Sequence, residues 1–379
     1  MSRRGRIAVI LAVAGLIALS AIYIPSRPVA IFHGLPETFT DSDFWNIVTN
    51  FSENGGYFRS DNFVSNESTF QWVIPDLKKK LKAGGVYLGV GPDQNFTYIA
   101  ALQPKVAFIV DIRRQNMLLH LMYKALFELS SSRREFLSKL FGRPARSDLE
   151  QDTDSELLFR TVSKTPADAD FAKQTLAEIL RELREEHHFT LSVDDCKSIE
   201  YIYNAFVSGG PEIRYSFPTQ YAVRRFPSYS ELMLETDSNG ENHSYMGSEE
   251  NFQSVKNLEA ENRVIPIVGD FAGDRALRSI ARYLKQHATP VSAFYTSNVE
   301  FYLFQSDDWR RFFNNVAELP LDKDSVFVRA YFNNYGSRFA SASGARSETY
   351  LDGMLDLINA YKGSDIHSYF DVIKRSTAP

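Results

Sequence analysis

Apolar and polar residues along this chain follow two periods, and the switches between them outline a strand–helix–strand order. Residues 86–90 and 106–110 are short aliphatic runs with almost no polar side chain, as in strands buried on both faces of a parallel sheet. Between them, residues 92–102 have helical length, with Phe96, Ile99 and Ala100 spaced to face the sheet and Pro92 suited to the first helical position. A second series starts at Val264. Ile265, Ile267 and Val268 predict a strand, and Leu277, Ile280, Ala281 and Leu284 the apolar face of a helix. Residues 291–295 predict another strand, 309–320 a short helix and 325–332 a further strand. The order is that of a doubly wound, mostly parallel α/β sheet of Rossmann-like type.

The rest of the pattern divides the chain. Residues 1–24 predict a transmembrane anchor or signal peptide, and 25–82 a linker with a helical cap. Residues 83–130 make the first half of the sheet domain, 131–262 a mainly helical insertion, and 263–379 the second half with C-terminal helices. In the cap, Phe44, Trp45 and Val48 predict a helix and residues 70–81 a second amphipathic piece. The polar loop between them carries Tyr57, Phe58 and Phe63, a composition suited to covering a pocket. Its Ser65-Asn66-Glu67 either contacts a ligand or starts the next helix, and the cap is preferred. In the insertion, residues 171–186 and 193–207 repeat apolar positions at helical spacing, predicting a subdomain over the C-terminal edge of the sheet. The long polar stretch 216–262 is expected to close the cleft, with Glu249 and Glu250 reading better as a solvated helix start than as pocket acids.

Candidate chemistry concentrates at the turns after the strands. Gly89 and Gly91 remove Cβ atoms where the backbone turns and a ligand must come close. Asp111 ends the second strand about twenty residues after Gly91, where a carboxylate accepts hydrogen bonds from ribose hydroxyls. A dinucleotide fingerprint would need glycine where Gln94 stands, and Asp93 in the first helical turn would repel a diphosphate, so a phosphate-free nucleoside is favoured.

On these residues the chain resembles the class I S-adenosylmethionine-dependent methyltransferases, and more closely an uncharacterised bacterial family with a methyltransferase-like Rossmann domain and an N-terminal membrane segment. The family motif is roughly acid-x-G-x-G-x-G, and Tyr87, Gly89, Gly91 and Asp93 stand at its fixed positions. The resemblance implies S-adenosylmethionine as cofactor, with Gly89, Gly91 and Asp111 binding it. It also implies that Asp270, in the turn after the third strand, lies beside the adenine, unless Asp270 only caps the next helix. Tyr295 and Asn298, after the fourth strand, fall where such enzymes place the substrate, although Tyr295 also suits simple packing. A D/N-P-P-Y motif is lacking there, and no catalytic base stands out.

Composition narrows the partners. With 44% hydrophobic and 13% aromatic residues, the chain can bury a sizeable core, and a net charge of −5 offers no footprint for nucleic acid. The Arg133-Arg134 and 143–146 basic runs read as solvated faces, and His187-His188 as surface residues. The single cysteine, Cys196, excludes an intramolecular disulfide, and no spacing of His and Cys suggests a metal site. Residues 7–24 are uncharged and follow Arg3, Arg4 and Arg6, which predicts a single-pass anchor with the globular domain extracytoplasmic, or a cleaved and exported form. A small-molecule or lipid-proximal substrate follows. An extracytoplasmic site would meet little S-adenosylmethionine, which is made in the cytosol. The two expectations therefore pull against each other, and a catalytically inactive binding or structural role stands as the alternative.

Overall fold

The computed structural model describes residues 34–145, 152–216, 226–332 and 347–376. The expected N-terminal span and most of its linker lie outside the described residues. Among the described residues no helix is long and apolar enough to cross a membrane.

Six strands form one sheet in the order β3-β2-β1-β4-β5-β6. The strands are β1 (Val86–Gly89), β2 (Val106–Asp111), β3 (Val264–Val268), β4 (Val291–Ser297), β5 (Leu321–Phe332) and β6 (Ser347–Gly353). The first five are parallel, and β6 runs antiparallel to β5. β1, β2 and β3 are buried at every position, as strands covered on both faces must be. Sequence periodicity did not predict β6. Its SETYLDG has three polar residues, then Tyr350-Leu351, then Asp352-Gly353, with no two-residue period, and only pairing with β5 makes it a strand.

Helices cover both faces. Gln94–Leu102 packs with Ile74–Lys80 and Glu249–Ala260, and Glu249–Ala260 packs in turn on Arg114–Glu128. Phe96 centres this side, with edge-to-face contacts to Tyr123, Phe127 and Tyr245. Elsewhere, Ala276–Gln286 packs on Trp309–Ala317, which meets Met354–Lys362. Phe271, Phe294, Phe312 and Phe327 fill that side. Along β4 the two-residue period sends Phe294 into this aromatic group and Tyr295 towards Tyr98 on the other face, 5.2 Å between ring centroids.

The insertion is helical. Its helices Arg133–Leu140, Ala169–Arg181 and Val193–Gly209 pack around Arg114–Glu128, on the flank of the sheet. They touch the 52–66 loop from outside, through Tyr201 to Asp61 (2.8 Å) and Phe63 to Tyr201 and Phe206. Glu249 starts a helix and pairs with Arg133, which is buried rather than solvated because it donates to Met246 and Ser155. His187 is not a free surface residue either. Its two ring nitrogens lie 2.8 Å from Asp41 and 2.6 Å from Glu128. Burial alone would lower its pKa, but these carboxylates outweigh that and raise it.

Candidate functional site

The turns leaving β1, β2, β3 and β4 open into one cavity of about 540 Å³, within the range of small-molecule sites. It lies at the carboxyl ends of the parallel strands, where the strand order reverses between β1 and β4. Gly91, Asp111, Asp270, Tyr295 and Asn298 all line it. Among the described residues no helix of the insertion contributes to its wall, which is closed instead by the 57–67 loop and the helix Val299–Gln305.

Gly89 is not among the lining residues. A Cβ there would sit 1.9 Å from Asn95 Oδ1 and 2.8 Å from the Tyr87 ring. Asn95 is fixed at that spot: it accepts from Tyr87 (2.9 Å) and donates to the carbonyls of Val90 (2.9 Å) and Pro92 (2.7 Å). Gly89 therefore makes room for the side chain that ties the turn together. Gly91 is the residue that needs glycine for conformation. Its φ is +78°, and a Cβ would find nothing closer than Asn62 at 3.9 Å. Its carbonyl accepts from His120 Nε2 at 2.8 Å, and burial pushes the His120 pKa down to about 4, keeping the ring neutral.

Asp93 does not face the ligand space. Its carboxyl turns into the core and accepts from the Tyr245 hydroxyl (3.0 Å), which lies 2.6 Å from that of Tyr229. Burial pushes its pKa up to about 7. The expected repulsion between Asp93 and a diphosphate is thus removed, and Pro92 precedes the helix Gln94–Leu102 instead of opening it. The acidity of the site comes from other residues. Glu67, Asp111, Asp270 and Asp308 line the cavity, against the single guanidinium of Arg113.

That guanidinium is already engaged. Arg113 donates from Nε (3.0 Å) and Nη2 (2.9 Å) to the two oxygens of Asp111, and its backbone N–H adds a third bond at 2.9 Å. Three of the carboxylate's roughly four acceptor positions are used, leaving one for a ligand hydroxyl. Arg113 also reaches the Asp61 carbonyl, pinning the 52–66 loop over β2. Further back, that loop lies along β3, with Glu53 N–H on the Val268 carbonyl (3.0 Å). The Asp270 N–H donates to Glu53 (2.7 Å), while the Asp270 carboxylate accepts from the Ala272 N–H (2.8 Å). Asp270 closes its own turn and does not cap the helix at Ala276.

Glu67 lies in the Ser65-Asn66-Glu67 stretch for which the sequence favours a helix cap over a ligand contact, and the structure places it in the cavity wall. No helix begins at Ser65-Asn66-Glu67. Ser65 instead donates to Gln94 Oε1, and Gln94 Nε2 donates to Glu67 at 3.0 Å. Ser297, at the end of β4, donates to the other Glu67 oxygen, and the Tyr295 hydroxyl reaches the same carboxylate. Burial raises the Glu67 pKa, offset in part by these donors. Nothing local marks this acid; only the docking of the loop between the β1 turn and the end of β4 brings it to the cavity.

Among the described residues, two groups bring three ligand-type atoms together away from the cavity: Glu128, Glu182 and His187, and Asp237, Glu241 and His243. In the first, both His187 nitrogens already face carboxylates and leave no free lone pair for a metal. In the second, Asp237 anchors the backbone N–H groups of Asn239 and Glu241.

The chain belongs to the family defined by a domain of unknown function, DUF7790, whose pattern matches residues 62–357. The match takes in Glu67, all six strands and Gly89, Gly91, Asp111, Asp270, Tyr295 and Asn298. No curated protein matches the chain.

Proposed function

We propose that the chain is a methyltransferase-like protein, tethered to a membrane by its N-terminal segment, that binds S-adenosylmethionine or a related phosphate-free nucleoside. The observation that carries this reading is the acidic cavity at the β1/β4 reversal, with the Gly91 turn on one side and Asp111 at the end of β2. The residues present fit such a ligand. Gly91 leaves open backbone beside the cavity, Asp111 keeps an acceptor position for a ribose hydroxyl, and Asp270 stands where an adenine edge would lie. When bound, S-adenosylmethionine supplies an electrophilic methyl group. The chain's own part is to hold the nucleoside and exclude water, and the acceptor could be a small or lipid-proximal molecule.

Titration calorimetry tests the reading. S-adenosylmethionine and S-adenosylhomocysteine should bind, and NAD and ATP should not. Asp111→Asn should weaken binding by about 1 to 3 kcal/mol, the worth of a hydrogen bond to a charged group. Absence of heat at millimolar nucleoside with folded protein would refute it.

The bidentate hold of Arg113 on Asp111 favours a second reading, a binding or structural protein without chemistry at the extracytoplasmic membrane face. Reporter fusions after Pro379 distinguish the locations. A cytosol-active reporter that works while a periplasm-active one stays silent would overturn export.

A further inference from the structure

Glu67 is 1% exposed and lines the cavity, yet among the described residues no lysine, arginine or histidine pairs with it. Its neighbours are neutral donors: Ser297 on one oxygen, the Gln94 amide at 3.0 Å on the other, and the Tyr295 hydroxyl. Ser65 in turn holds the Gln94 carbonyl oxygen, which leaves the amide nitrogen facing the carboxylate. Donors arranged in this way favour the ionised form, whereas burial without a counter-charge opposes it. The protein thus presents a buried carboxyl group to an open space and, among the described residues, supplies no cation to pair with it.

The remainder of the wall has the same character. Asp270 adds negative charge, Asp308 does so while paired with Arg311 at 3.7 Å, and the cation that lines the cavity, Arg113, is consumed by Asp111. Aromatic rings border the same space. Tyr295 stands beside Glu67, and Phe58 and Tyr302 meet edge to face at 5.7 Å. Ring faces attract onium cations. We infer that the cavity takes a ligand bearing an onium cation, a sulfonium or an ammonium, with Glu67 as its counter-ion. The inference rests on the nucleoside reading for the remainder of the ligand, but the charge preference is separable from it.

The titratable groups around Glu67 are the hydroxyls of Tyr87, Tyr98, Tyr295 and Tyr369, all kept protonated by burial. The buried Glu300–Arg329 pair lies beyond Tyr369. An onium ligand must therefore lower the pKa of Glu67 and drive off its proton.

The test uses the full chain and calorimetry at mildly acidic pH in buffers of different ionisation enthalpy. The probes are S-adenosylmethionine, the uncharged 5′-methylthioadenosine, and trimethylsulfonium. S-adenosylmethionine should bind with release of a proton and methylthioadenosine without it. Glu67→Gln should abolish the release and weaken S-adenosylmethionine about tenfold or more, while leaving methylthioadenosine unchanged. If the two nucleosides bind equally and neither releases a proton, the nucleoside reading stands and the counter-ion role falls. If trimethylsulfonium alone binds, with proton release that depends on Glu67, the counter-ion role stands and the nucleoside reading falls. Silence from all three with folded protein overturns both. The proton count on the unaltered protein decides the question even if Glu67→Gln fails to fold.

Discussion

Gly89→Ala separates a packing glycine from a ligand-approach glycine. The added methyl would lie 1.9 Å from Asn95 Oδ1 and 2.8 Å from the Tyr87 ring, neither of which can simply swing away. Asn95 is held by Tyr87 and by two carbonyls of the turn, and both side chains are buried. Overpacking of this kind costs about 1 to 3 kcal/mol. Asn95→Ala alone strips those carbonyls and the Tyr87 hydroxyl of their partner, for about 1 to 3 kcal/mol. In the double variant the main obstacle is gone and the Tyr87 ring is released from its hydrogen bond. The methyl should then cost less than about 1 kcal/mol, giving a coupling of about 1 to 2 kcal/mol between the two sites. Urea midpoints of the wild type, both single variants and the double variant measure this directly. Additivity within about 0.5 kcal/mol would refute the packing account. So would a Gly89→Ala variant that keeps full stability but loses nucleoside affinity.

Gly91→Ala should behave differently, costing about 1 to 2 kcal/mol for a left-handed alanine without any clash, and Asn95→Ala should not rescue it. Asp93 is pushed up to about 7 in the fold from an ordinary 3.8, so the folded state holds its proton more tightly and stability should fall as pH rises through that interval. Asp93→Asn should remove the fall and be the more stable protein at about pH 8, by an amount on the order of a few kcal/mol, read from urea midpoints on either side of neutrality; parallel pH profiles would contradict this. His187 has the same sign. Its raised pKa means stability fully present below about 6.5 and lost as pH rises through the folded value. His187→Gln should therefore lose most stability in mild acid and least in alkali, and a uniform loss in melting temperature would rule the ion pairs out.

The parts of this fold that could be read from sequence are those whose signal is local. The aliphatic runs at β1 to β4 and the helical repeat of Leu277, Ile280, Ala281 and Leu284 declare themselves because burial on both faces, or on one stripe, leaves a continuous pattern. β6 does not, since Ser347, Glu348, Thr349 and Asp352 leave only Tyr350 and Leu351 as apolar positions and no two-residue period. Among site residues, Asp111 could be named because its place at a strand end is a matter of counting. Its partner Arg113 was missed, although only two residues away, because direction rather than spacing decides whether a guanidinium folds back. Asp93 stands one residue before the helix rather than in its first turn, and its carboxyl faces the core rather than the ligand space. Glu67 carries a local pattern that fits a helix cap as well as a ligand contact, and only its partners Gln94, Tyr295 and Ser297, from segments far apart in sequence, decide between the two.

The position of the insertion has a consequence for how the chain reaches this structure. β2 and β3 are neighbours in the sheet, yet the whole insertion separates Asp111 from Val264. β1, its helix and β2 can assemble early from nearby residues, whereas the outer edge of β2 must wait for a very long loop to close. Until then β2 presents an unpaired border, apolar from Val106 to Val110, the kind of surface that recruits another chain. Helices of the insertion that settle early on Arg114–Glu128 shorten the search for β3. Substitutions that loosen this flank should therefore appear first as slow refolding and aggregation, before any change at the cavity.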